Sequence, residues 1–226
     1  MLEIKNVRVY DLTESVIACR NAMRIEMAEE TEQEFEASLV RAKKLCKAGS
    51  PHDNFLCGIR VSYDIVYPQY ISPELQRYHF NDIVASSSKM HRLCKMDIRK
   101  SCNCYVTEES VNQLEMLVNN YNVIETMDED SVERMGVTIH KYDHARGKYY
   151  YDVVYNRQEA LYQTWMEVIS NCPMGLELFM RCSTNYLQLK NIYRQRNNHK
   201  LKEDWGEFCK FIEVLPHFED FINIKD

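Results

Sequence analysis

The sequence predicts an α+β fold, organised as a single domain over residues 1–226. Three observations predict it. Capping boxes followed by helical periodicity recur along the chain, an alternating apolar stretch near residue 60 reads as a strand, and no repeat or Gly/Ser-rich linker divides the 226 residues. With only 6 glycines and 5 prolines, an all-β sandwich full of tight turns is disfavoured.

Ile4 to Tyr10 alternates weakly and reads as a first strand. Asp11-Leu12-Thr13-Glu14 is a D-x-x-E capping box expected to open a helix running to about Met27. Thr31-Glu32-Gln33-Glu34 is a second box; its helix carries Phe35, Leu39, Ala42 and Cys46 on one face and stops at Gly49. Phe55 to Val66 alternates well, with Ile59, Val61, Tyr63 and Ile65 on one side, and reads as a strand. Thr107 or Ser110 caps a helix bearing Val111, Leu114, Val118 and Tyr121. Met127 to Glu133 reads as an acidic loop and Val137 to Tyr142 as a short strand, while Gly147 to Tyr151 carries no clear pattern. Helices are expected from about Val153 to Ser170, Leu176 to Gln195 and Glu203 to Val214.

Hydrophobic residues make up 45% of the chain, enough for a substantial core. The net charge of −6 is wrong for a protein that coats nucleic acid. Nine cysteines form no even framework, the start Met1-Leu2-Glu3-Ile4-Lys5 lacks the apolar run of a signal peptide, and no apolar run approaches the ~20 residues of a membrane span. A cytoplasmic protein with reduced thiols is expected. Cys102-Asn103-Cys104 with Cys94 and His91 lacks paired C-x2-C knuckles, so no metal site is expected. Cys19, Cys46 and Cys209 read as small core residues, and Trp165 and Tyr149-Tyr150-Tyr151 as packing residues.

The most informative stretch runs from Gln76 to Arg92, where cations, hydroxyls and an imidazole crowd together: Arg77, His79, Ser86-Ser87-Ser88 and Lys89. A second runs from Asn185 to Lys200. Together they suit a phosphorylated, aromatic ligand. Asn185 and Arg196 lie eleven residues apart, about three helical turns and ~16 Å, so they suit opposite ends of an extended ligand.

The second segment resembles the flavin-dependent thymidylate synthases (ThyX). Members of that family carry a Leu-Pro, an Asn twelve residues after that Pro, and an Arg eleven after the Asn. Pro173, Asn185 and Arg196 keep both intervals, and Trp205 and Pro216-His217-Phe218 resemble later family features. The family signature R-H-R-x2-S-x-N-E-x-S-x-R is matched imperfectly. With Arg77 on its first Arg, His79 takes the third position, Ser87 the last Ser and Lys89 the final Arg; a one-residue shift puts Ser88 on that Ser and Met90 on that Arg. Upstream, Ser50, Pro51 and Asp53 hold the Ser/Thr, Pro and acidic positions of a further family motif.

The resemblance implies a ThyX-like α+β fold with an antiparallel sheet flanked by helices, and a homotetramer with shared sites. It implies FAD as cofactor, dUMP as substrate, and NADPH and methylene-tetrahydrofolate as co-substrates, with reductive methylation of dUMP to dTMP as the activity. Reduced flavin would supply the hydride and mediate one-carbon transfer. Carried over, Ser50, Asp53, Arg77, His79 and Asn185 would contact the flavin cofactor. Ser87, Ser88, Lys89 and Arg196 would hold dUMP, with Ser87, Ser88 and Arg196 at the reacting ring; Gln76, beside Arg77, offers an amide to the nucleotide.

There are departures. The family's further phosphate-binding Arg, four residues before the Pro, is Ile169 here, and its last signature Arg is Lys89, a point charge rather than a fork. Two alternatives therefore stand beside the leading reading. One is a divergent relative that binds or modifies another pyrimidine nucleotide. The other is a nucleic-acid-binding protein acting through the basic helix 190–202.

Overall fold

The computed structural model describes residues 2–224. In chain order the elements are β1 (Glu3–Tyr10), α1 (Leu12–Ala18), α2 (Glu32–Ala48), β2 (Arg60–Pro68), α3 (Ser72–Leu75), β3 (Asp82–Ser86), α4 (Lys89–Arg92), α5 (Ile98–Ser101), α6 (Glu108–Thr126), α7 (Glu129–Met135), β4 (Val137–Asp143), β5 (Lys148–Val154), α8 (Arg157–Ser170), β6 (Glu177–Asn185), α9 (Tyr186–Arg196), α10 (Lys202–Glu213) and α11 (Phe218–Phe221). They group into two compact units, one of residues 2–67, 71–86 and 179–224, the other of residues 68–70 and 87–178.

The first unit is built on a four-stranded sheet in the order β1-β2-β6-β3. The β1–β2 and β3–β6 pairs are antiparallel. Period-2 alternation works as expected in β2, where Val61, Tyr63 and Ile65 are buried while the residues between them are half-exposed. Met180, Cys182, Thr184 and the terminal Asn185 are the buried members of β6. The helix α10 covers this core: Phe208 and Phe211 meet the Tyr63 ring at 5.9 and 5.0 Å between centroids. Each such fully buried aromatic contributes roughly 1.5–3 kcal/mol relative to exposure.

The second unit packs α6 against α8, with Val111, Leu114, Leu117, Val118 and Val168 in its core. A smaller cluster of Ile124, Val132, Val137, Ile139 and Ala160 joins α6, α7, α8 and β4. The β4–β5 hairpin is a separate antiparallel pair.

Several expectations hold. Thr31 caps α2 by accepting from the Glu34 N–H, Gly49 ends it, and Thr107 rather than Ser110 caps α6. Others are corrected. The first helix ends at Ala18, not Met27. Asp11 sits at φ 58° and makes no side-chain cap bond, and Arg24 turns back to bond the Ile17 carbonyl and pair with Glu34 of α2. Residues 54–57 form a 3₁₀ turn, so the expected strand begins at Arg60. The acidic segment read as a loop is the helix α7, capped by Asp128 accepting from the Ser131 N–H at 2.8 Å. Residues 148–154 are the strand β5, and α8 begins only at Arg157, capped by Asn156. The largest correction concerns the expected helix Leu176–Gln195. Its first half is the strand β6, because pairing with β2 and β3 on either side overrides a weak helical period.

Candidate functional site

The first unit holds residues 76–86 of one informative segment together with residues 185–200 of the other. Arg196, at the end of α9, donates through Nε to the Tyr78 hydroxyl at 2.7 Å. The same hydroxyl donates to Gln195 Oε1 at 3.1 Å. Arg196 Nη1 lies 2.9 Å from Glu74 Oε2, and that oxygen also accepts from the Trp205 indole N–H at 2.8 Å. The guanidinium carbon stands 4.4 Å from the centre of the Trp205 ring and 5.6 Å from that of Tyr78, within cation–π range. The result is a cation held by a carboxylate edge and two rings, with its side chain 14% exposed. His199 adds an imidazole 3.8 Å from Glu74.

Local chemistry explains how 76–81 is presented. Tyr78 and Asn81 are buried anchors, and Asn81 Oδ1 accepts from Tyr63 Oη at 2.7 Å. Gln76, Arg77 and His79, beside these anchors, are exposed. The side chains of Arg77 and His79 make no hydrogen bond or ion pair with any described residue, whereas Gln76 donates to Ser72 Oγ at 3.1 Å. The chain thus offers two uncommitted basic groups on either side of a tyrosine that is bonded to Arg196.

Other candidate residues hold the fold. Asp53 is buried and accepts from Lys190 Nζ at 2.7 Å, and Lys190 also donates to the Cys46 carbonyl at 3.2 Å. Burial pushes the neighbouring Cys46 thiol up to about 12, with the Lys190 charge opposing. Asp53 Oδ1 is buried without a hydrogen-bond partner. Ser50 is exposed in the turn before it. Asn185 is not mid-helix as expected. It is the N-cap of α9, with Oδ1 accepting from the Gln188 N–H at 2.8 Å, and it is buried.

Ser87, Ser88 and Lys89 belong to the second unit, and all three are half-buried. Ser88 precedes α4, a position from which its side chain makes no cap bond. Lys89 Nζ donates to Gln69 Oε1 at 2.8 Å, and Gln69 Nε2 donates to the Pro173 carbonyl at 3.0 Å and to Cys172 Sγ at 3.2 Å. Lys89 is therefore linked to the Pro173 turn through Gln69. Ile169 packs against the core of this unit, and Arg99 is engaged by Glu108 and Glu115.

The basic stretch 190–202 is not one helix. It breaks between α9 and α10, Lys190 is buried against Asp53, and Arg196 is enclosed by Glu74 and the rings. Among the described residues, no group of three or more His, Cys, Asp or Glu could hold a metal ion, and no helix is long and apolar enough to cross a membrane. Sequence reasoning missed Glu74, Gln69 and Lys190 as partners. Nothing local marks them, since each acts across a long chain separation.

No family model matches the sequence, and no curated protein matches it. Solved structures do. The flavin-dependent thymidylate synthase ThyX from Helicobacter pylori complexed with FAD and dUMP matches at a TM-score of 0.53 and 15% identity, over 98% of this chain and 96% of that one. A second ThyX structure from Helicobacter pylori with FAD and dUMP gives 0.55 and 14% over the same shares. The fold is ThyX-like. At this identity the likeness speaks for the ThyX-like backbone alone. That agreement in fold gives the Pro173, Asn185 and Arg196 spacing a structural context, with Pro173 before β6, Asn185 at the strand–helix junction and Arg196 at the helix end.

Proposed function

We propose that this chain is a flavin-dependent thymidylate synthase-like enzyme, binding FAD and methylating dUMP with methylene-tetrahydrofolate and NADPH. The observation that carries the reading is the bond between Tyr78 and Arg196, which brings the Arg77–His79 strip to the Arg196 nest within a ThyX-like fold. The residues fit FAD in part. Arg77 and His79 are uncommitted and exposed, as a diphosphate requires. Asp53 and Asn185 are committed to Lys190 and to capping α9, which leaves only the partnerless Asp53 Oδ1 as an acceptor.

In this reading Arg77 and His79 bind the cofactor phosphates. Arg196 is oriented by Tyr78, Glu74 and Trp205 so that its remaining N–H groups meet the pyrimidine. Ser87 or Ser88, with Lys89, holds dUMP, the Lys89 ammonium on its phosphate. Gln76 adds an amide and Ser50 a hydroxyl. Bound flavin supplies hydride and one-carbon transfer chemistry. The full reading is a single ThyX-like domain over residues 1–226, assembled as a cytoplasmic homotetramer with shared sites.

Purified protein should be yellow, with a flavin absorbance spectrum, and should release tritium from the C5 of labelled dUMP when folate and NADPH are supplied. A colourless protein that takes up no added FAD overturns the reading.

A second reading is favoured by one specific observation. Ile169, where the family has a phosphate-binding Arg, packs against the core, and Lys89 is already bonded to Gln69. Losing one charge-assisted hydrogen bond costs roughly 1.5–3 kcal/mol. A chain that binds flavin but modifies or only binds another pyrimidine nucleotide follows from that loss. Flavin colour without tritium release, with a thermal shift from a different pyrimidine nucleotide, would select it.

A further inference from the structure

The run Tyr149-Tyr150-Tyr151, expected to pack, is mostly exposed: Tyr149 is 77% and Tyr151 72% accessible. The hairpin register explains why. His140 stands opposite Tyr151 and Tyr142 opposite Tyr149, so these four rings share one face of the β4–β5 pair, while Val137 and Ile139 point to the core. The rings meet edge to face within each rung, at 4.9 Å for His140 and Tyr151 and 5.0 Å for Tyr142 and Tyr149. Successive rungs are about 6.8 Å apart along the strand, which gives more than one flat group a place on the ladder. At the hairpin tip Arg146 and Lys148 are exposed; Arg146 Nε lies 3.4 Å from Asp143 Oδ2, and Lys148 makes no ion pair with any described residue.

A second observation points to what the ladder binds. His140 also lines a cavity of about 190 Å³ whose other walls include Gln163, Glu167, Ser170 and Asn171. Glu167 Oε1 accepts the His140 backbone N–H at 2.6 Å, which fixes the carboxylate at the junction of ladder and cavity. Amide, hydroxyl and carboxylate groups around a space of this size suit the polar edge of one planar heterocycle, and a carboxylate favours an edge that donates.

We infer that the β4–β5 hairpin is a binding surface for single-stranded nucleic acid: bases stack on the Tyr142/Tyr149 and His140/Tyr151 rungs, one base edge enters the cavity beside Glu167, and Arg146 and Lys148 meet the phosphates. Aromatic rings next to cations are the general means of holding unpaired strands. Two rungs favour a strand over a mononucleotide, and the polar cavity favours a base over an apolar protein side chain. The surface lies within the second unit and does not depend on the flavin reading.

The test is fluorescence anisotropy of labelled oligo-dC and oligo-dT twelve-mers with the full chain at low and moderate salt. Binding is expected in the roughly 10⁻⁴ to 10⁻⁶ M range, weakening as salt rises, with oligo-dC tighter because cytosine carries an exocyclic amine. Tyr149→Ala with Tyr151→Ala should lose about tenfold or more. These exposed positions leave the core intact, which the melting temperature verifies. Lys148→Ala should flatten the salt dependence by about 0.7 in log–log slope, and Glu167→Gln should erase the preference for oligo-dC. No binding at low salt overturns the inference. So do binding that the tyrosine pair does not alter, dCMP competing as well as the oligomer, and a self-associated protein that the tyrosine substitutions dissociate.

Discussion

The Tyr78 hydroxyl accepts the Arg196 Nε–H at 2.7 Å, across 118 residues of chain. That one bond joins the two segments richest in polar chemistry. It also sets the plane of the guanidinium, with Trp205 4.4 Å from its carbon and Glu74 at its Nη1 edge.

Replacing Arg196 by Lys keeps the charge but loses the fork and the ring stacking. Stability should fall by about 1–2 kcal/mol, measured by urea denaturation. Affinity for FAD or a pyrimidine nucleotide, read by flavin absorbance and thermal shift, should drop about tenfold or more. Unchanged ligand binding would restrict Arg196 to a structural role.

The Asp53–Lys190 pair is deeply buried on both sides. Asp53→Asn leaves an unpaired buried ammonium and should cost about 3–5 kcal/mol in chemical denaturation. The double variant Asp53→Leu with Lys190→Met should be milder than either single change, because no lone charge remains. A single variant with wild-type stability would refute the pairing.

Placing at position 169 the arginine that the ThyX resemblance implies should fail. Ile169→Arg forces a guanidinium against the core formed by α6 and α8, and about 1–3 kcal/mol of stability should be lost. No gain in dUMP binding is expected. Tighter dUMP binding without loss of stability would show that this position opens onto the nucleotide.

Alkaline pH should destabilise the protein before the ordinary tyrosine range. Burial pushes the thiols of Cys46 up to about 12 and of Cys182 and Cys209 up to about 11, and raises the Tyr186 phenol as well. Above the thiol's ordinary value near 9, the unfolded chain has lost protons that the folded chain retains. The slope of unfolding free energy with pH is then negative, so stability is full below about pH 9 and falls as pH rises toward 11–12. Urea midpoints measured from pH 7 to 10.5 should show this decline, and Cys→Ala at Cys46 and Cys182 should flatten it.

The acid side has the opposite sign. The Asp64 carboxyl is held below its usual range by the Asn6 amide and then by Arg181, so its contribution is present above the ordinary carboxylate pKa and fades as pH falls through the lowered value. Asp64 is half-exposed and its Arg181 pair is screened by solvent, so Asp64→Asn should change the acid midpoint only slightly.

By itself the sequence determined the α+β class, the caps of α2 and α6, the inward face of β2 and the helical stretch that became α10. These are set by residues within a few positions of one another: a side-chain oxygen three residues from an N–H, or a period of two or 3.6. It also supplied the Pro173, Asn185 and Arg196 spacing that pointed to a ThyX-like fold. Only the tertiary structure decided that 177–185 is a strand, because β2 and β3 flank it and satisfy its backbone. That strand turned Asn185 from a free mid-helix amide into a cap. It took the same long-range contacts to show that Lys190 is neutralised by Asp53 and that Glu74 orders Arg196, since a charge reads the same in sequence whether it faces water or a partner 137 residues away.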